Sequence, residues 1–389
     1  MIRAAAGALA MLATASPLAA SPMERALDYL SARQDASTGA VGPAAGREAD
    51  TAWTAMAVAG GGEAPANWTR TGGASLSGAV AALPADAAGD LLRLALARRA
   101  AGAVDADIAS RVAAQQSADG GFSGTPMATA WGVMALRAVG RAPADPAVVA
   151  AVGALVRQRR GDGGWAAAAG ASDVVGTATG IQALRAARIP VSDPVLQQAR
   201  ARLLALRARD GSFGRAAVPT AWAIMAIRSL GENPGRGAWA RGGSPRAFLL
   251  RLQDPDGGVR VAAGARSSVF STAIAALAWS RGLLPVAPGT RRTPDRAPRV
   301  VRRTPASGDV VRGVLSVRYV DERGGTGVDP ARTTVWANGA NITARARITP
   351  FTLQVRPGAL PRGAVSMEVR VRDRAGHVTT SRWPVTVTG

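Results

Sequence analysis

No cysteine occurs anywhere in the chain, which excludes disulfides, thiolate metal sites and thioester chemistry. Histidine occurs once, as His377, so a His-rich metal site within one chain is excluded, and a His-paired nucleophile has that one residue to draw on. Lysine is absent, and all 47 basic residues are arginine. No folding requirement demands that. With the heavy use of Ala, Gly and Pro, it points to a coding bias, so the net charge of +21 is weak evidence of function. The charge still has a physical consequence, because such a surface attracts anionic polymers and membranes at low salt. Aromatics are only 4% of the residues.

Long hydrophobic runs are also missing. The one apolar stretch, Ala4 to Ala15, is too short to span a membrane. Preceded by Arg3 and followed by small residues, it reads as a secretory signal over residues 1–21, with cleavage between Ala15 and Ser21. The expected protein is therefore exported, secreted or held in the cell envelope, without a transmembrane span. Nucleic acid is then not an expected partner. An anionic cell-surface polymer is, through the Arg-rich linker and tail.

What the sequence does contain is a repeat. "QQSADGGFSG" from Gln115, "QRRGDGGWAA" from Gln158, "LRARDGSFGR" from Leu206 and "LQDPDGGVRV" from Leu252 place Asp119, Asp162, Asp210 and Asp256 about 45 residues apart. A worn copy, "QDASTGAVG", starts at Gln34. A unit at Ser75 to Gly102 keeps two helical segments without the Gly-rich turn, for six units in all. After each turn comes a nearly uncharged helix: "TAWTAMAVAG" at Thr51, "TAWGVMALRAVG" at Thr129, "TATGIQALRAA" at Thr177, "TAWAIMAIRSLG" at Thr220 and "STAIAALAWS" at Ser271. A helix apolar on all sides is buried all round. The helices before the turns are different: "VLQQARARLLALRA" from Val195 has an Arg face and a Leu face, as an outer helix would. Six alternating pairs predict a closed α/α toroid over residues 22–284. In the turn, Asp and Gly end the outer helix, Gln bonds loose backbone groups, and Phe122, Trp165 and Phe213 pack back on the helices. Thr129 and Thr220 are expected as N-caps.

The Gln-x-x-x-Asp-Gly-Gly-Phe/Trp turn followed by Thr-Ala-Trp resembles the repeat of the prenyltransferase and squalene/terpene cyclase α/α toroid superfamily, over Met23 to Leu284. The resemblance implies the fold. It does not select an activity, because the superfamily includes cyclases, protein prenyltransferases, thioester proteins and cobalamin carriers. The cyclases' Asp-x-Asp-Asp acid motif has its nearest approach in "VDADIAS", where Ile108 follows Asp105 and Asp107; these aspartates read more simply as a helix start. Cyclases also line their cavities with aromatics that stabilise carbocations, and few are present here. Asp173 resembles the zinc aspartate of the prenyltransferases in position, but the cysteine is missing and the one histidine lies far away in the tail. No metal and no cofactor is expected.

At the toroid mouth the inner-helix N-termini converge with free N–H groups that favour anions. Asp50, Asp173 and Arg266 fall at helix starts there, and Trp53, Trp131 and Trp222 lie on the inner helices of units one, three and five. These six residues are the candidate ligand-binding set: a pocket with aromatic walls and a polar rim. Equally, Asp50 and the threonines fit as caps, and the tryptophans as core.

After Leu284 the composition changes. Residues 285–304 are rich in Pro and Arg and read as a semi-rigid, charged linker. From Pro305 to residue 389 the period becomes two. In "AVSMEVRVRD", Val365, Met367, Val369 and Val371 alternate with polar residues, which is a half-buried strand. About seven such segments with turn signals between them predict an antiparallel sandwich resembling bacterial immunoglobulin-like modules. Asp321, Glu322, Asp329 and Asp373 are read as turn formers, with calcium binding as the alternative. His377 is read as an exposed turn residue. The fold expected is multidomain: an all-α (α/α)6 toroid followed by a small all-β sandwich. The expected function is noncatalytic ligand binding at the toroid mouth, with the sandwich as spacer or attachment module. Two alternatives stay open: an enzyme on an isoprenoid or polysaccharide using Asp173 and Asp50 as acids, and a scaffold whose interior is plugged by Trp and Met.

Overall fold

The computed structural model describes residues 21–388 apart from 71–72, 85–87, 169, 281, 292–296, 322–324 and 326. The expected signal segment falls outside them as far as Ala20, and so does Glu322. Twelve α-helices come first among the described residues, then two β-sheets in the C-terminal part. No helix of the described residues is long and apolar enough to cross a membrane.

The helices alternate as their sequences require. The outer set is α1 (Pro22–Ser31), α3 (Leu76–Ala81), α5 (Ala106–Ala114), α7 (Pro146–Arg157), α9 (Pro194–Ala205) and α11 (Pro245–Arg251). The inner set is α2 (Arg47–Gly60), α4 (Ala88–Ala101), α6 (Pro126–Ala138), α8 (Val174–Ala186), α10 (Ala217–Ser229) and α12 (Val269–Trp279). Each inner helix packs on the next, and α12 packs back on α2, so the circuit of inner helices closes. All six outer helices start after a Ser or Asp that accepts a bond from a first-turn N–H, and in four of them, after Ser21, Asp145, Asp193 and Ser244, the next residue is Pro. They bury one stripe only, as α9 does with Leu196, Ala199 and Leu203. The inner helix α12 buries nine of its eleven residues.

The Gly-rich turn is a hydrogen-bonded module. Oδ1 of Asp119, Asp162, Asp210 and Asp256 accepts from the N–H two residues on, at 2.9 to 3.0 Å, closing an Asx turn. The threonines do not cap. Oγ1 of Thr51, Thr129, Thr177, Thr220 and Thr272 accepts from the N–H of Val41, Phe122, Trp165, Phe213 and Val259 respectively, at 2.8 to 3.2 Å. This corrects the expectation for Thr129 and Thr220. Thr125 caps α6, and α10 has no side-chain cap. Helix starts lie a turn earlier than expected, so the threonine points at the preceding loop and pins it. The turn aromatics are fully buried. Gly132 makes room for one of them, since a Cβ there would lie 2.2 Å from the Phe122 ring.

Two kinds of bond join one repeat to the next. Gln116 donates to the carbonyls of Gly120 in its own turn and Ala147 in the next outer helix. Gln253 does the same with Gly257 and Pro22, which ties the last turn to the first helix. At the other end, Arg137 donates to Ala186 O, Arg185 to Ser229 O and Arg228 to Ala278 O, each at 3.0 Å. Each arginine thereby satisfies carbonyls at the C-terminal end of the neighbouring inner helix.

In the C-terminal part, β10 (Gly363–Arg372) pairs antiparallel with β11 (Val378–Val387) along ten residues, within a sheet ordered β4-β11-β10-β6-β7. Here β4 is Val310–Val311, β6 Thr334–Ala337 and β7 Ala340–Asn341. The second sheet runs β3-β5-β9-β8, from β3 (Arg299–Thr304), β5 (Leu315–Val320), β9 (Thr352–Val355) and β8 (Ala346–Ile348). The alternation read in the sequence is borne out: Val365, Met367, Val369 and Val371 are buried and share one core with Leu315, Val317, Tyr319, Leu353 and Val355. The short β1 (Val259–Arg260) and β2 (Ser267–Ser268) form a hairpin before α12.

The described parts of segment 285–304 are tied to both neighbouring parts of the chain, although many of their side chains are exposed. Leu284 and Val286 belong to the helical core, and Arg291 exchanges backbone bonds with Gly62 and Ala64 and sits 3.7 Å from buried Glu63. Its last six residues are β3. Apolar residues among the prolines gave it packing partners on both sides. His377 is also more than an exposed turn residue. Its side chain is 45% exposed, but Nδ1 and the backbone N–H both contact the carboxylate of Asp373, which is fully buried. Asp321 is bonded to Gly327 N, and no cluster of three metal-ligating side chains occurs among the described residues.

Candidate binding site at the inner-helix N-termini

Helices α2, α6 and α10 are not neighbours in the circuit, yet their tryptophans touch. The ring centroids of Trp53, Trp131 and Trp222 are 5.5, 5.7 and 5.7 Å apart in edge-to-face pairs. They therefore reach across the interior and meet in a triangle. Trp53 and Trp222 are buried, and Trp131 is half-buried. Phe270, in the first turn of α12, packs on Trp53 at 6.1 Å and is 38% exposed. Edge-to-face packing is the arrangement that ring quadrupoles favour. The aromatic walls expected for an open pocket instead fill the space between the helices, since three indoles from alternate helices are long enough to meet there. The scaffold alternative anticipated such a plug.

A cavity of about 780 Å³ opens beside this plug. Its lining comes from the loop before α2 (Gly42, Pro43, Gly46), from α1 (Tyr29, Arg33), from Asp50 on α2, and from Ser267 to Phe270 at the start of α12. Asp50 is only 8% exposed. No hydrogen bond or ion pair reaches its carboxylate among the described residues. Burial alone pushes its pKa up to about 6. Arg33, in the same cavity, lies over the Tyr29 ring at 3.2 Å and 3.8 Å from Asp256, so it is engaged elsewhere. Gly42 brings the loop onto the acid. Its φ is +99°, and a Cβ there would stand 2.5 Å from Asp50 Oδ2.

The other candidates are placed differently. Asp173 is the N-cap of α8: Oδ1 accepts from Gly176 N at 2.8 Å and Oδ2 from Ala167 N at 2.6 Å. Both oxygens are committed to backbone donors, and Asp173 does not line the cavity that holds Asp50. The two acids thus do not share one pocket. Arg266 is exposed on the hairpin before α12 and is not part of the lining. Sequence reasoning missed Phe270 and Tyr29. Phe270 stands two residues before its unit's threonine, whereas the tryptophans stand two after theirs, so the repeat register gave no signal for it.

No protein-family model matches the chain, and a search of the curated proteins finds no match. Solved structures with some likeness include the apo type II terpene cyclase MstE from Scytonema, at 16% identity, covering 66% of this chain and 96% of that one, with a TM-score of 0.41. The ent-copalyl diphosphate synthase from Streptomyces platensis is 20% identical over 59% of this chain, with a TM-score of 0.43; the match spans about half, 49%, of that protein. CopC from Methylosinus trichosporium OB3b is 22% identical over 23% of this chain and 91% of its own, with a TM-score of 0.19. Likenesses at these scores assign no residue a role.

Proposed function

We propose an exported, noncatalytic binding protein. Its helical domain is an (α/α)6 toroid that takes a small or extended ligand at the rim of its mouth, and its β domain is an immunoglobulin-like sandwich that serves as spacer or attachment module. The observation that carries the reading is Asp50: a residue only 8% exposed, on the wall of a cavity, whose carboxylate has no hydrogen-bond or ion-pair partner among the described residues. Burying a charge without a partner costs stability. A ligand that donates a hydrogen bond or positive charge to Asp50, and lays an apolar face on Phe270 and Val269, removes that cost. The tryptophan plug leaves the ligand at the rim and shuts it out of the interior. The plug also suits the scaffold reading, but that reading gives Asp50 no purpose.

The enzyme reading keeps one observation in its favour, an acid whose pKa of about 6 lets it hold a proton in mildly acidic solution. It then rests on Asp50 alone, because Asp173 is a cap. The deciding experiment is a thermal-shift screen of small amines, polyols and amphiphiles against the wild type and Asp50→Asn. A ligand that binds only the native state raises the melting temperature. Compounds that stabilise the wild type and not the variant, and are recovered unchanged, support binding. Multiple turnover abolished by Asp50→Asn makes the protein an enzyme, and a screen in which no compound separates the two proteins leaves the scaffold.

A further inference from the structure

A second concavity, of about 670 Å³, lies between the helical part and the outer face of the sheet that holds β3 and β5. Arg25 and Arg33 of α1, with Arg70, line it on one side, and Arg299, Arg302 and Arg318 on the other. Three carboxylates, Asp28, Asp256 and Asp321, also line it. Asp256 is the partner of Arg33, and Asp321 accepts from Gly327 N. Arg70 donates to Gln34 O and lies 5.2 Å over the ring of Phe351, so it bridges the two parts of the chain.

The sheet side is where the charge is left uncompensated. In the β3–β5 ladder Arg302 stands directly opposite Arg318, with Arg299 opposite Val320 just beyond a register shift. None of these three guanidinium groups has a hydrogen-bond or ion-pair partner among the described residues, and all three residues are exposed. Like charges directly opposite each other on neighbouring strands repel and weaken the sheet. Arginine forks match the oxygens of a phosphate in bidentate fashion and bind it with charge-assisted bonds. An oxyanion seated between Arg302 and Arg318 therefore turns a repulsive pair into an attractive one.

We infer that this cleft is a binding site for a phosphate-class oxyanion, held by Arg302 and Arg318 with Arg299 beside them. The inference does not depend on the reading of Asp50. It gives the net positive charge a particular address, distinct from a general surface effect.

The test compares the full chain, Arg302→Gln/Arg318→Gln, and a control, Arg345→Gln/Arg356→Gln. The control removes the same charge from exposed positions of the same domain that do not line the cleft. Each protein is titrated calorimetrically with inorganic pyrophosphate, and separately with phosphatidylcholine vesicles containing phosphatidylglycerol, at fixed salt. The cleft variant should lose affinity by about tenfold or more, as expected for removing hydrogen bonds to a charged group, and the control should keep it. Pyrophosphate binding alone identifies a free ligand as the source of the phosphate, and added vesicle binding identifies a headgroup. The ligand-free cleft variant should also melt no lower than the wild type at low salt, because a repulsive pair has gone. Equal loss in both variants, no loss in either, or no binding by the wild type overturns the inference.

Discussion

Replacing Asp50 by Asn should stabilise the protein, by an amount that grows from pH 4 to pH 6 and is complete at neutral pH. The folded chain holds this carboxyl with a pKa raised from 3.8 to about 6 because burial disfavours its charged form. Between those values the folded state binds more protons than the unfolded one, so the Asp50 contribution to stability falls as pH rises. The contribution is intact below about pH 4 and fully lost above pH 6. A shift of this size corresponds to about 2 to 3 kcal/mol, with the lower end favoured because the cavity admits solvent. Asn keeps the shape and never ionises. At pH 7 the variant should melt about 5 °C higher than the wild type, given the usual conversion for a domain of this size. At pH 4 the two should coincide. Differential scanning calorimetry at pH 4, 5, 6 and 7 reads the difference, and the other titrating groups cancel in it. A variant less stable at pH 7, or a difference flat with pH, would refute the reasoning: Asp50 would then have a partner that stabilises its charge.

Thr220→Ala should leave the Phe213 N–H buried without an acceptor and cost about 1 to 3 kcal/mol in urea denaturation; Thr220→Ser should restore most of it. Gly132→Ala places a methyl inside the Phe122 ring contact and should cost about 1 to 3 kcal/mol, measured the same way. A chain ending at Leu284 strips Val286 from the core and Arg291 from Glu63, so it should melt below one ending at Arg291; equal melting would show that these contacts do not matter. Asp373→Ala should lower the stability of the β domain by about 1 to 3 kcal/mol, because the His377 loop loses its two bonds to the buried carboxylate; an unchanged melting midpoint by near-ultraviolet circular dichroism would count against this.

Much of the fold was legible because hydrophobic period is local. Helices free of charge, such as "STAIAALAWS", were read as buried, and α12 is. The two-residue period of β10 fixed which of its side chains face inward. Asp-Gly turns were legible for the same reason, since an Asx turn closes within three residues. The threonines were misread because Thr125 and Thr129 both fit a helix start by type. Only the position of the first helical turn shows that one caps and the other pins the loop.

The candidate site was legible in part. Asp50 stands out in the sequence, but its neighbours along the chain do not tell that it has no partner among the described residues, because the groups around it come from α1 and the start of α12 as well as from its own loop. The tryptophans fit both walls and core by sequence. Whether three indoles on alternate helices line a space or fill it depends on how closely those helices approach across the interior. The inter-repeat bonds of Arg137, Arg185 and Arg228, and the placing of Arg302 opposite Arg318, were invisible for a related reason. Sequence by itself determined which residues repeat, which faces are apolar and where the chain turns, since each of these is settled by neighbours a few residues away. Tertiary structure alone decided which charges find partners and which do not, because a partner's distance is set by circuit closure and strand register between segments far apart along the chain.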